Sequence, residues 1–158
     1  MVTTKIFNGT TAIRGAIPHQ VSIRNVRGGG IAHFCGGSII HSVLILTAAH
    51  CITKLNLEPE QIVVVAGEHI LDATEEGEQA RYVTQIIIHG GWNTTTSDND
   101  IAILVLNEPL LFDNYTRPIE IAKGDDVRSG KQKDFTRTVF WQGLTLDACF
   151  TQIKKRQR

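Results

Sequence analysis

Apolar residues recur along this chain in short runs of strand length, separated by polar or glycine-containing connections. The runs Gln20–Val26, Ala32–Ile40, Val43–Thr47, Ile62–Ala66, Arg81–Ile88 and Ile101–Leu106 are rich in β-branched and aliphatic side chains. Most are bounded by Gly, Asn, Asp or Pro, the residues that end strands and open turns. No long segment with a 3.6-residue apolar period interrupts them, so the pattern predicts an all-β barrel or sandwich. A single helical turn is expected at Ala48–Ile52, after the third run. The connections carry their own chemistry: Gly28-Gly29-Gly30 between runs one and two, Leu55–Gln61 with Pro59 between three and four, and the acidic stretch Glu68–Ala80 between four and five. His89–Asn99 is a polar loop that leads to Asp100.

The periodic pattern fails from about Lys131. Residues 131–158 hold seven Lys/Arg against two Asp/Glu, whereas residues 1–130 hold nine against fourteen, so a formally neutral chain divides into an acidic body and a basic tail. One further strand near Thr136–Trp141 is expected at most, and the rest of the tail carries no structural signal. With 158 residues, 42% hydrophobic and 20% charged, the chain suits one domain with a real core. Zero net charge gives no reason to expect nucleic acid or a charged membrane surface as a partner. No apolar run approaches the ~20 residues that span a bilayer. Met1-Val2-Thr3-Thr4-Lys5 leads straight into Ile6 without the apolar core of a secretory signal. Of three cysteines, Cys35 and Cys51 are close enough to pair and Cys149 is left over. Sequons stand at Asn8, Asn93 and Asn114.

Three pieces carry chemistry: Cys35-Gly36-Gly37-Ser38, Thr47-Ala48-Ala49-His50-Cys51 and Asp98-Asn99-Asp100-Ile101-Ala102. Singly, a histidine beside a cysteine is usually structural and an aspartate before a strand is usually a turn cap. Together, in this order and spacing, they resemble the N-terminal half of a chymotrypsin/trypsin-type serine protease, over about Ile6 to Gly130. The resemblance implies one six-stranded antiparallel barrel of a double-barrel fold. It also implies His50 as general base and acid, Asp100 as the carboxylate that orients it, and a Cys35–Cys51 disulfide beside them. Histidine suits the base because its unperturbed pKa is about 6.5. The carboxylate fixes the imidazole tautomer and stabilises the imidazolium.

Two weaker likenesses follow. Lys5-Ile6-Phe7-Asn8-Gly9 resembles the family's activation junction, with cleavage after Lys5 freeing the ammonium of Ile6; the plain alternative is a surface peptide. Residues 67–79 are similar to the calcium loop of trypsins, which would give Ca²⁺ side-chain oxygens from Glu68 and Glu78 and main-chain oxygens from Ile70 and Ala73. The alternative there is a solvated acidic loop, and no other cofactor is expected.

The likeness stops before the second barrel, where the family keeps its serine nucleophile in Gly-Asp-Ser-Gly-Gly, its oxyanion donors and its specificity pocket. None of the five serines, Ser22, Ser38, Ser42, Ser97 and Ser129, lies in such a setting. The organisation expected is therefore a short leader at 1–5, a partial protease domain at 6–130 with the second barrel missing, and an irregular tail at 131–158 from a shifted reading frame or alternative ending. The functional expectation is an extracellular serine endopeptidase relative acting on proteins or peptides, truncated and inactive alone. A second expectation is a non-catalytic barrel that binds a protein partner. Either way, the wall that faces the second barrel would be apolar and exposed, favouring association.

Overall fold

The computed structural model describes residues 12–28, 30–71 and 73–121. Six strands form in chain order: β1 (Gln20–Asn25), β2 (Ala32–His41), β3 (Leu44–Thr47), β4 (Ile62–Ala66), β5 (Gln79–Ile88) and β6 (Ala102–Leu106). One short helix, α1 (Ala49–Thr53), follows β3, and a 3-10 turn at Pro59–Gln61 precedes β4. The strands close into an antiparallel barrel in the order β1-β2-β3-β6-β5-β4, with β4 returning to β1. Closure gives every strand two hydrogen-bonded neighbours and leaves no open sheet edge.

All six runs read from the sequence become strands, and the helical turn becomes α1 one residue later than expected. The differences lie at strand ends. β5 starts two residues early because Gln79 and Ala80 pair with Ala66 and Val65 of β4. His41 joins β2 by pairing with Leu44 across a tight turn. Ile101 stays outside β6, because its N–H bonds the Asn99 carbonyl at 2.8 Å and its carbonyl accepts the His89 N–H at 3.1 Å. Here ladder partners and local turns, which strand propensity does not encode, decide the boundary. The tail at 131–158 and the strand expected near Thr136–Trp141 lie outside the described residues.

The core fills the barrel. Val21, Ile23, Ile39, Ile45, Ile62, Val64 and Leu104 are at most 1% exposed. β6 alternates buried and half-buried positions, as a strand with one inward face should, whereas β4 is buried at every position. Gly37 lets the barrel tighten. A Cβ there would lie 2.8 Å from Ile45 Cγ2 and 3.0 Å from the Leu46 carbonyl oxygen, so only glycine allows β3 this close to β2.

After β6 the chain crosses back over the barrel. The N–H groups of Leu110, Arg117 and Ile119 donate to the carbonyls of Ser42, Pro18 and Ile39. Thr116 is fully buried by this crossing. Ile13, Ile31, Leu111 and Ile121 are each at least 60% exposed.

Candidate active site

β3 and β6 are neighbours, and the last pair of their ladder is Thr47 with Ala102. His50 lies three residues past Thr47, and Asp100 lies two before Ala102. The register alone therefore brings together two side chains fifty positions apart. Thr47 is buried, and its hydroxyl donates to the Gly36 carbonyl at 2.9 Å, tying the end of β3 to β2. Ala48 turns the chain into α1 from an extended conformation, and Ala49 is fully buried, where a larger side chain would not fit without displacement. Asp100 is aimed by Asn99, whose φ of 56° is left-handed. Asparagine tolerates that conformation better than most residues, and its side-chain amide donates to the Gly91 carbonyl at 2.7 Å.

One carboxylate holds the histidine twice. Asp100 Oδ1 accepts the His50 backbone N–H at 2.8 Å, and Oδ2 lies 2.7 Å from His50 Nδ1. An ionised carboxylate only accepts, so this contact assigns the ring proton to Nδ1 and leaves the lone pair of a neutral ring on Nε2. The two side chains are 19% and 13% exposed: sheltered, yet reachable from solvent. Trp92 reaches in from the loop between β5 and β6, its indole N–H donating to Thr53 Oγ1 at 3.3 Å.

Cys35 on β2 and Cys51 on α1 are joined in a disulfide with Cα atoms 6.2 Å apart. Closing a loop of this length stabilises by ~3 kcal/mol on the chain-entropy model. Cys35, His50 and Cys51 also lie within metal-ligating distance of one another. Both sulfurs are in the disulfide, however, so neither is a thiolate available to an ion.

The acidic loop between β4 and β5 gathers the residues expected to hold calcium. Gly67 opens it at φ 75°, with its backbone packed too close to the Gly77 carbonyl for any side chain. Glu68 Oε1 is taken by the Arg24 guanidinium, while Glu68 Oε2 is buried without a hydrogen-bond partner among the described residues. Glu78 Oε1 accepts the Glu75 N–H at 3.1 Å, and the Ile70 carbonyl accepts the Ala73 N–H at 3.3 Å. Three oxygens of the set, Glu68 Oε1, Glu78 Oε1 and the Ile70 carbonyl, are thus engaged inside the protein, while Glu68 Oε2 is without a partner among the described residues. To build a cage of six to eight oxygens here, an ion would have to compete with Arg24 for Glu68. Burial pushes the Glu68 carboxyl above its usual range, and Arg24 is the largest influence pulling it back. Glu75 is held below its usual range because its carboxylate accepts the N–H groups of Ile70 and His69.

The sequons Asn93 and Asn114 are both exposed on turns. Asn93 Oδ1 accepts the N–H groups of Thr95 and Thr96, and Asn114 Oδ1 accepts from Arg117. Lys5, Ile6 and Asn8 lie outside the described residues. Sequence reasoning did not single out Arg14, Arg24 or Trp92, whose partners are far along the chain, or Asn99, whose left-handed backbone a polar turn residue does not announce.

A closed six-stranded barrel with an aspartate-gripped histidine at the end of two paired strands defines a protease-like half-fold. The trypsin family model matches residues 6–139, and the chain belongs to that family of serine protease domains. Coagulation factor IX of Cavia porcellus is 42% identical over 120 residues, which cover 75% of this chain and 39% of that protein. Coagulation factor IX of Oryctolagus cuniculus is 41% identical over 121 residues, covering 75% and 41% respectively. Trypsin-1 of Astacus astacus is 37% identical over 126 residues, covering 79% and 53%. The aligned part of the chain thus spans from two-fifths to about half of these relatives.

Proposed function

We propose that this barrel is the base-bearing half of a serine endopeptidase. His50 serves as general base and then general acid, Asp100 orients it, and peptide bonds of proteins or peptides are the substrates. The reading rests on the double grip of Asp100 on His50 through Nδ1 and the backbone N–H. A ring fixed in this way keeps Nε2 free to take a proton from a hydroxyl and return it to a leaving amine, which is worth about 10²–10⁴-fold in rate. The nucleophile and its oxyanion donors must come from elsewhere. Ser22 and Ser38 are buried in the barrel wall, and no serine hydroxyl bonds His50 among the described residues. Among the described residues His50 therefore has no nucleophile to activate, and the barrel alone is expected to turn over no peptide. An extracellular setting accords with the Cys35–Cys51 disulfide, a bond that persists in oxidising compartments.

Joining this barrel to the C-terminal barrel of a trypsin-family relative tests the assignment. Cleavage by the chimera is expected to collapse on His50→Ala. Undiminished cleavage by that variant would remove His50 from the mechanism. The inertness of the chain alone is tested with a serine-directed fluorophosphonate. Labelling that disappears on His50→Ala would show a nucleophile within these residues.

A further inference from the structure

The loop between β4 and β5 concentrates Glu68, Glu75, Glu76 and Glu78, and the catalytic reading uses none of them. Two arginines reach it from the N-terminal part of the chain. Arg24 of β1 places its guanidinium on Glu68, and the two side chains are only 16% and 5% exposed. Arg14 donates to the Glu76 carbonyl, lies 4.0 Å from Glu75 Oε1, and stacks 4.3 Å above the Tyr115 ring. The loop also closes on itself, as Glu75 accepts the N–H groups of His69 and Ile70 at 2.9 and 3.0 Å.

A carboxylate buried as deeply as Glu68 needs positive charge nearby to stay ionised. A divalent ion on Glu68 would meet the Arg24 guanidinium at short range, in a place largely closed to solvent. Repulsion there is weakly screened. Ion and arginine therefore compete for this carboxylate, although Oε2 is without a hydrogen-bond partner among the described residues. The guanidinium has the advantage of being tethered, always charged and already seated.

We propose that Arg24 is the resident cation of this loop, neutralising Glu68 in the place of a divalent ion, so that the loop keeps its shape without calcium. Arg14 fastens the far side of the same loop through Glu75, Glu76 and Tyr115. The proposal does not depend on the catalytic reading, and its test involves no cleavage.

Hydrogen exchange of the whole 158-residue chain, followed by mass spectrometry over residues 67–79, makes the test. Exchange in the native chain is expected to be the same in EGTA and in millimolar CaCl₂. Arg24→Gln should speed exchange in EGTA roughly tenfold or more, the scale of a lost charge-assisted hydrogen bond. Calcium should slow it again, and Arg24→Lys should stay protected in EGTA because it keeps the charge. The proposal is overturned if the native loop loosens in EGTA and tightens with calcium. It is equally overturned if Arg24→Gln exchanges like the native chain, or if calcium fails to restore that variant. Should Arg24→Gln not fold, the native chain and Arg24→Lys still decide, since a calcium response in the native loop or lost protection in Arg24→Lys contradicts it.

Discussion

The barrel carries two ion pairs built on opposite plans, His50–Asp100 and Arg24–Glu68. Asp100 has both oxygens occupied, and both by one residue, the histidine ring and its own backbone N–H. Glu68 is more deeply buried, yet only Oε1 is matched, by Arg24, and Oε2 is left without a partner among the described residues. The cationic partner differs as well. An imidazole can take or give up a proton near neutrality, while a guanidinium stays charged at any physiological pH. The first pair is arranged so that its charge can change during a reaction; the second holds a fixed charge against a buried carboxylate. The proposed chemistry thus sits where the acceptor is fully organised and partly open. Structural neutralisation sits where the site is closed and the charge cannot vary.

The largest effect that sharpens this contrast is expected in the chimera described above. Asp100→Asn keeps the shape but can present an amide N–H to Nδ1, disturbing the tautomer. It should lower kcat by at least about a hundredfold with little change in KM, as read from steady-state cleavage of a peptide substrate. Next comes the fixed pair. Arg24→Gln strands a carboxylate that is 5% exposed and should cost about 3 kcal/mol in urea unfolding. Glu68→Gln should cost less, because Arg24 is the more exposed partner and can turn toward water. Equal costs would mean that the two charges are equally well solvated and that Glu68 is no more closed off than Arg24. Gly37→Ala should then cost about 1–3 kcal/mol, since its neighbours are a branched side chain and a backbone carbonyl with little room to yield.

The smallest effects are in pH. Glu75 has its folded pKa lowered by backbone N–H donors. Its contribution is present above the unfolded value of about 4.3 and is lost as pH falls through the folded one. His19, lowered by burial, acts in the same direction from about 6.5 downward, because the fold holds it neutral. Glu68, raised chiefly by burial, acts oppositely: its contribution is present below the unfolded value and lost as pH rises through the folded one. Acid should therefore destabilise the native chain. Glu75→Gln should flatten the loss near pH 4, and His19→Gln should flatten it nearer pH 6, as followed by urea midpoints across pH.

Much of this architecture was legible beforehand. The strands are readable because each pairs short β-branched runs with turn residues, and His50 and Asp100 stand out because Thr47–Cys51 and Asp98–Ala102 together resemble a known family's motifs. Cys35 and Cys51 could be paired because only one other cysteine competes. What stayed hidden depends on distance. Nothing in the neighbourhood of Arg24 tells that it meets Glu68 forty-four residues later, or that Arg14 will lie over Tyr115. The calcium expectation for residues 67–79 rests on a resemblance carried by the loop itself, and the arginines that engage the loop come from outside it. Asn99 looked like one more polar turn residue until its left-handed backbone was seen to aim Asp100.

The bond from the His50 backbone N–H to Asp100 has a consequence for engineering. It does not involve the imidazole, so it survives when the side chain is cut back to alanine. A His50→Ala barrel should keep its carboxylate aimed at an empty, ring-sized slot beyond the paired ends of β3 and β6. Such a slot is a receptor for a diffusible base, and added imidazole can occupy it. In the chimera, cleavage would then depend on the dose of a small molecule, placing a protein's reactivity under outside control through a single backbone contact.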